Sequence, residues 1–263
     1  MARHRDADVA IRCTDLSIGR GPGRGAASVR VVDGVDLSLT HGGALAVLGP
    51  TGAGKSSLAA VLAGAPGEGL SVAGGDAWVE GISVRRPGRS RRALTYLVGH
   101  VAQGEAARLP SRLTVEEIIA SPVTSRDRRV NPRALAIRVA ALLDELALPL
   151  GVSVKYPYEL SAGMRQRVAF ARALMLDPRV LIADDLFANL DVQARAAVAD
   201  AVIRRRRGYG MSTLLIGNDR GGIAALEAEV LVLRGGHVVA YGRSVDDVLW
   251  TPSAQADPRI MAS

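Results

Sequence analysis

Residues 44–64 read "ALAVLGPTGAGKSSLAAVLAG", and three kinds of chain follow one another within them. "ALAVL" is an apolar run that suits a buried strand, and "KSSLAAVLAG" carries its apolar residues at helical spacing. Between them, Gly49 to Ser56 satisfies the full pattern G-x-x-x-x-G-K-[ST]. Strand, glycine-rich loop and helix in that order are the context in which this pattern binds phosphate. The glycines let backbone N–H groups turn inward around a β-phosphate, and the helix N-terminus adds its positive end. Lys55 is suited to bridge the β- and γ-phosphates of ATP, and the Ser56 hydroxyl to ligate Mg²⁺. Nucleotide contacts are therefore assigned to Gly49, Pro50, Thr51, Gly52, Ala53, Gly54, Lys55, Ser56 and the adjoining Ser57.

A second stretch, "LIADDLFANLD" at 181–191, reads as a buried strand that runs into Asp184 and Asp185 and then into a loop ending at Asp191. Asp184 is the natural second acid for the magnesium shell. Paired carboxylates at a strand end otherwise cap the next helix, a reading that the upstream phosphate loop makes secondary.

The 263 residues suffice for one large α/β domain. No apolar run approaches the roughly 18 to 20 residues that cross a bilayer, and "MARHRDADVA" lacks the apolar segment of a secretory signal. A cytoplasmic chain is expected, with any membrane role reached through a partner. Cys13 is the only cysteine, which excludes a disulfide framework and a cysteine metal cluster. The net charge of +7 is carried almost wholly by arginine, since Lys55 and Lys155 are the only lysines. The densest basic run, Arg204 to Arg207, follows apolar-periodic "VQARAAVADAVI" and reads as a solvated helix end, where cations suit the macrodipole. With few aromatics to stack on bases, nucleic acid is not an expected partner.

Along the chain, residues 9 to 48 alternate like short strands and hairpins, and "GRGPGRGAAS" at 19–28 opens no helix and reads as a loop. Strands are expected around 77 to 84 and 94 to 101, and helices over roughly 114 to 148 and 161 to 176. "VLIAD" and "TLLIG" read as strands flanking a helix at about 192 to 206. "EVLVL" and "HVVAYG" are the final strands, followed by a polar tail from about 243. No internal repeat or long coiled-coil insertion is evident.

"ELSAGMRQRVAFARAL" at 159–174 precedes the Asp184 strand, and here the chain resembles the ATP-binding subunits of ABC transporters. "LSAGM" followed by "RQRVAFARAL" is similar to the family signature LSGGQ and its basic helix. Gln103 in "VGHVAQG" resembles the glutamine loop, where it would contact metal and nucleophile, and "ANLD" with Asp191 resembles the D-loop. The resemblance covers about residues 9–242. It implies a P-loop NTPase fold with a RecA-like core, an antiparallel β-subdomain and a helical subdomain inserted at about 105–165, the whole forming one domain over 1–242 with a short tail at 243–263. It further implies head-to-tail pairing, in which Ser161 and the Gly163 N–H reach the γ-phosphate of ATP held by a partner chain.

Four motifs depart from the family pattern, at five positions. Asp185 stands where the family has a glutamate that polarises the attacking water; its carboxylate is withdrawn by about 1 Å, a shift that costs on the order of a hundredfold in rate. Asn218 stands where the switch histidine is expected; it keeps one donor for the γ-phosphate but no imidazole, and loss of such a transition-state donor costs roughly 10² to 10³. Arg20 lies near the position of the adenine-stacking aromatic and can stack through its guanidinium plane. Ala162 and Met164 replace two signature residues, while Ser161 and Gly163 survive. The chain's own loop is thus expected to bind MgATP but hydrolyse it poorly, with Asp185, Asn218 and Gln103 as its catalytic set and Ser56, Gln103 and Asp184 as its metal set. Its signature is expected to complete a partner's site, with a heterodimer favoured over a homodimer.

"LDVQARAAV" and "LPSRLTVEEIIASPV" resemble the peptide and nickel importer branch. Expected partners are membrane-spanning permease subunits, a second ABC ATPase subunit and an extracytoplasmic solute-binding protein, with the chain peripheral on the inner face of the membrane. A soluble ABC-type ATPase acting on DNA or ribosomes, and a nucleotide-sensing adaptor that never hydrolyses, are the other classes. Neighbouring permease genes would separate the first from both.

Overall fold

The structure is a computed structural model, and it describes residues 8–21, 29–86, 88–127 and 129–250, with the side chain of Trp250 excepted. The chain opens with β1 (Val9–Arg20), β2 (Val29–Thr40) and β3 (Ala44–Leu48), then α1 (Lys55–Leu62), β4 (Leu70–Val79), β5 (Ile82–Ser83), α2 (Arg91–Leu97) and β6 (Val98–Val101). Helices α3 (Val115–Thr124), α4 (Pro132–Glu145) and α5 (Ala162–Leu174) follow, with short 3₁₀ turns between them. The chain then runs through β7 (Val180–Asp184), α6 (Val192–Tyr209), β8 (Ser212–Ile216), α7 (Arg220–Ala225), β9 (Glu229–Arg234), β10 (His237–Ser244) and β11 (Asp247–Trp250).

Two sheets form. Strands β2-β1-β4-β5 make an antiparallel sheet of four. The order β11-β10-β9-β3-β8-β7-β6 makes a sheet of seven, parallel from β9 to β6 and antiparallel at β10 and β11. Because successive side chains of a strand point to opposite faces, the central strands feed two cores. Ala44, Ala46, Leu181, Ala183, Leu215 and Val230 join a cluster with α3 to α6. Leu45, Val47, Val180, Ile182, Leu214, Ile216 and Leu231 join one with α1 and the antiparallel sheet. Burial on both faces explains why these strands read as unbroken apolar runs.

The helical stretch between β6 and β7 is punctuated by its caps. Thr114 and Glu117 form a capping box at α3, and the Asn131 side chain accepts from Arg133 and Ala134 ahead of Pro132 at α4. Pro122 sits inside α3, where it cannot donate to Ile118; the Ser121 hydroxyl donates to that carbonyl at 2.8 Å. No described helix is long and apolar enough to cross a membrane.

Three expectations need correction. Residues 94–97 are the end of α2, and the strand begins only at Val98; Leu94 and Leu97 lie at i,i+3, and Leu94 is fully buried on the inner face of that turn. The segment from 243 is in part strand, since β10 reaches Ser244 and β11 pairs back on it with Gly242 opposite Val248; Val245 is buried in the turn between them, and with Val248, Leu249 and Trp250 it makes residues 243–250 half apolar. Residues 22–28 and 251–263 of the expected loop and tail lie outside the described residues.

The third correction concerns Arg204 to Arg207. Helix α6 runs to Tyr209 and is closed by Gly210 at φ 68. Arg205 is no solvated end: it is 6% exposed and binds Glu145 through two bonds, Nε to Oε1 at 3.0 Å and Nη2 to Oε2 at 2.7 Å. Its Nη1 donates to Asp177 at 2.9 Å. Arg206 donates to the Gly42 and Leu226 carbonyls. Arg205 and Arg206 therefore tie α6 to its surroundings by hydrogen bonds, and Arg207 adds an exposed ion pair with Glu227 at 3.7 Å. Removing one partner of a buried ion pair leaves the other charge desolvated, so Arg205→Ala is expected to cost about 3 kcal/mol in urea unfolding, against less than about 1 kcal/mol for Arg204→Ala.

Candidate functional site

The carboxyl ends of β3, β7 and β8 bring the sequence-predicted residues together. β3 and β8 pair from Ala44 opposite Thr213 to Val47 opposite Ile216, and β7 pairs with β8 up to Asp184 opposite Ile216. The Asp185 N–H then donates to the Ile216 carbonyl at 2.8 Å and the Gly217 N–H to Val47 at 3.3 Å. The three chains leave the sheet side by side, and the loop before α1 lies over their ends. A cleft of about 330 Å³ results, lined by Thr51 to Ser57, Arg20, Gln103, Asp184, Asp185 and Asn218 among others.

Gly49 is required by close approach. Its φ is 144, and a Cβ there would stand 2.0 Å from the Leu233 carbonyl oxygen. Lys55 Nζ donates to the carbonyls of Gly49 at 2.6 Å and Pro50 at 2.9 Å, so the ammonium rests on its own loop. Ser57 is buried, and its hydroxyl accepts from Arg20 Nη2 at 3.2 Å. Arg20 is thus held against the start of α1 at one wall of the cleft.

Asp184 is 5% exposed. Burial pushes its carboxyl above the usual range and the adjacent Asp185 adds to this, while a hydrogen bond from Ser56 and the charge of Lys55 oppose it. A buried carboxylate paired with a hydroxyl is the oxygen-donor set that suits a hard divalent cation such as Mg²⁺. Asp185 is exposed, with backbone φ 54. Its Oδ2 accepts from Gln103 Nε2 at 3.3 Å. The Asn218 amide turns to the loop: its Oδ1 accepts from the Gly49 N–H and its Nδ2 donates to the Gly49 carbonyl, each at 3.1 Å.

Ser161, Gly163 and Asp191 do not line this cleft. Ser161 is exposed and caps α5, its hydroxyl accepting from the Met164 N–H at 3.2 Å. Asp191 caps α6 in the same way, accepting from Ala194 at 2.8 Å. Gly163 meets the loop before α6 so closely that a Cβ would lie 2.7 Å from the Asn189 carbonyl oxygen.

One residue of the site escaped the sequence reading. Gln166 is 7% exposed on α5, and its Nε2 donates to the carbonyls of Asp185 at 3.2 Å and Leu186 at 3.1 Å. It thereby ties the signature helix to the turn that carries Asp185. A polar residue on the inward face of "RQRVAFARAL" was the available signal, since a buried amide demands partners. The Asp185 carbonyl has a second donor in Ala188, so Gln166→Leu orphans chiefly the Leu186 carbonyl and is expected to cost about 1–3 kcal/mol in urea unfolding.

A phosphate loop laid over the carboxyl edge of a parallel sheet, with an acid on the adjacent strand end, defines a P-loop NTPase. The chain belongs to the ABC transporter family, whose model matches residues 32–188. It is 31% identical over 225 residues to the oligopeptide transport ATP-binding protein OppF of Escherichia coli (strain K12), covering 86% of this chain and 66% of that one. It is 33% identical over 247 residues to the oligopeptide transport ATP-binding protein OppD of Mycobacterium tuberculosis, covering 91% of this chain and 38% of that one. The chain therefore spans about two thirds of the length of the first relative and well under half of the second. The dimeric structure of MJ0796, a bacterial ABC transporter cassette, superposes with a TM-score of 0.77 at 21% identity, over 87% of this chain and 96% of that one. The cbiO1 structure from Clostridium perfringens gives 0.74 at 21%, over 90% and 89%. Both bear out the α/β P-loop fold.

Proposed function

We propose that this chain is an ATP-binding subunit of a peptide importer, peripheral on the inner face of the cell membrane. It docks on membrane-spanning permease subunits and works with an extracytoplasmic solute-binding protein and a second, different ATPase subunit. Support for the cargo comes from the oligopeptide transport relatives, OppF and OppD. Support for the nucleotide comes from the cleft itself, where Thr51 to Ser57 form one wall and Asp184 backs Ser56. Bound Mg²⁺ would supply charge neutralisation between the β- and γ-phosphates, held through Ser56, Gln103 and Asp184.

The observation that carries the asymmetric part of this reading is the engagement of both hydrolytic positions. Asp185 is bonded to Gln103, and Asn218 has both ends of its amide on Gly49. Neither presents the longer carboxylate or the imidazole that polarise a nucleophilic water and stabilise the γ-phosphate. The chain's own loop accordingly holds ATP and splits it slowly. Ser161, by contrast, stands exposed at the first turn of α5, away from the chain's own cleft. There a helix N-terminus and a hydroxyl suit the γ-phosphate on another subunit.

The isolated chain should turn over MgATP more slowly than about once per second. In the assembled complex, Ser161→Arg should lower phosphate release by on the order of a hundredfold, because the bulky side chain blocks the fast site on the partner. Asp185→Asn should change it by less than about threefold, since its site is already slow. Equal silencing by the two variants would sink the asymmetric reading and return Asp185 to the role of an ordinary catalytic base.

A further inference from the structure

We propose that Asn218 is a positioning residue of the phosphate loop, which uses its amide to hold the Gly49 peptide and so sets affinity for nucleoside diphosphate and triphosphate alike. The inference rests on the reading of Gly49 to Ser56 as the nucleotide site. Its ground is where the ladder between β3 and β8 ends. The backbones pair in register to Val47 and Ile216, and the Gly217 N–H makes a last bond to Val47. Beyond it the two chains turn apart at Gly49 and Gly217, each at φ 144. At that point the Asn218 side chain stands in for a strand. It accepts from the N–H and donates to the C=O of one and the same residue, both at 3.1 Å.

Two bonds to one residue fix the plane of the amide. The residue after it is anchored as well: the Asp219 carboxylate accepts from the Gly222 N–H at 3.3 Å and pairs with Arg195. The Gly49 carbonyl has a second donor, Lys55 Nζ. Phosphates that draw Lys55 toward themselves remove that donor, and Asn218 Nδ2 then remains to satisfy the carbonyl. Without Asn218, the Gly49 N–H and C=O both lose their side-chain partner as nucleotide arrives, and the mouth of the loop is free to reshape. An imidazole does not replace the amide, because its two nitrogens diverge and engage only one of the two groups. Asparagine at this position therefore does a different task from a γ-phosphate donor: it preforms the loop.

The test is calorimetric titration of the whole chain with MgADP and with a non-hydrolysable ATP analogue, for the wild type, Asn218→Ala, Asn218→Thr and Lys55→Ala. Cooperative unfolding without nucleotide confirms that each variant is folded. Asn218→Ala should weaken both nucleotides by the same factor, roughly tenfold. Asn218→Thr, with one hydroxyl for two groups, should fall between it and the wild type. Loss confined to the triphosphate analogue would overturn the proposal, since it would mark Asn218 as a γ-phosphate contact. If Lys55→Ala weakens binding while both Asn218 variants hold MgADP like the wild type, the positioning role fails and the nucleotide site stands. Should Lys55→Ala itself bind both nucleotides like the wild type, the loop is not the nucleotide site and both readings fail.

Discussion

The site depends on the parallel register of three strand ends. β3, β8 and β7 end level with one another, so the last rungs of their ladders place Gly49, Gly217 and Asp185 side by side. A shift of one residue would turn every side chain of a strand to the opposite face. It would also exchange the contents of the two cores, since Leu45 and Val47 face α1 while Ala44 and Ala46 face the helices. The size difference matters as much as polarity. The small alanines share the helical core with large side chains such as Phe170, and the larger Leu45 and Val47 join the core that holds α1. Register is therefore held by packing over the full sheet, and the loops inherit their positions from it.

The cleft is built almost wholly of backbone and of groups already partnered. Lys55 lies on two carbonyls of its own loop, Arg20 on Ser57 and Gln103 on Asp185. Binding phosphate then exchanges hydrogen bonds one for another, and the electrostatic gain from a helix N-terminus and an ammonium is not offset by building the site from a disordered chain. The cost is selectivity of role: a side chain already spent on structure is less available for chemistry.

Legibility followed the range of the forces involved. Phosphate loop and strand ends could be read because each is a local pattern of apolar runs and of glycines at fixed spacing, and the signature could be read by its resemblance to the family motif. The parallel order of the strands was implied by resemblance and not by any pattern within them. Errors fell where a tertiary contact overrode composition. Leu94 looked like part of a strand and is the buried face of a short helix; residues 243–250, expected as a tail, close a hairpin at Val245; Arg205 looked like solvated charge and is a buried partner of Glu145 and Asp177. Gln166 was missed for the same reason, because its two acceptors lie about twenty positions further along the chain. Nor does the sequence reveal how Asn218 is engaged, since its partners are the N–H and C=O of Gly49, 169 positions earlier at the start of the phosphate loop.

Gln166 and Gly163 also bear on how the two halves of this chain communicate. The first turn of α5 carries Ser161, and one turn later the same helix grips the carbonyls behind Asp185. Gly163 lies against the carbonyl of Asn189, with no room for a methyl group. The signature end of α5 and the loop from Asp185 to Asn189 are therefore coupled through two contacts that leave little slack. A well-packed contact resists compression and a buried carbonyl resists losing its donor, so the two segments constrain one another's position. On the reading proposed above, this gives a slow site a use. Through this contact, nucleotide held at the chain's own loop would bear on the Asp185 turn and on the placement of Ser161, whether or not it is split. Such a coupling needs ATP to be retained at the chain's own loop and does not need it to be split there.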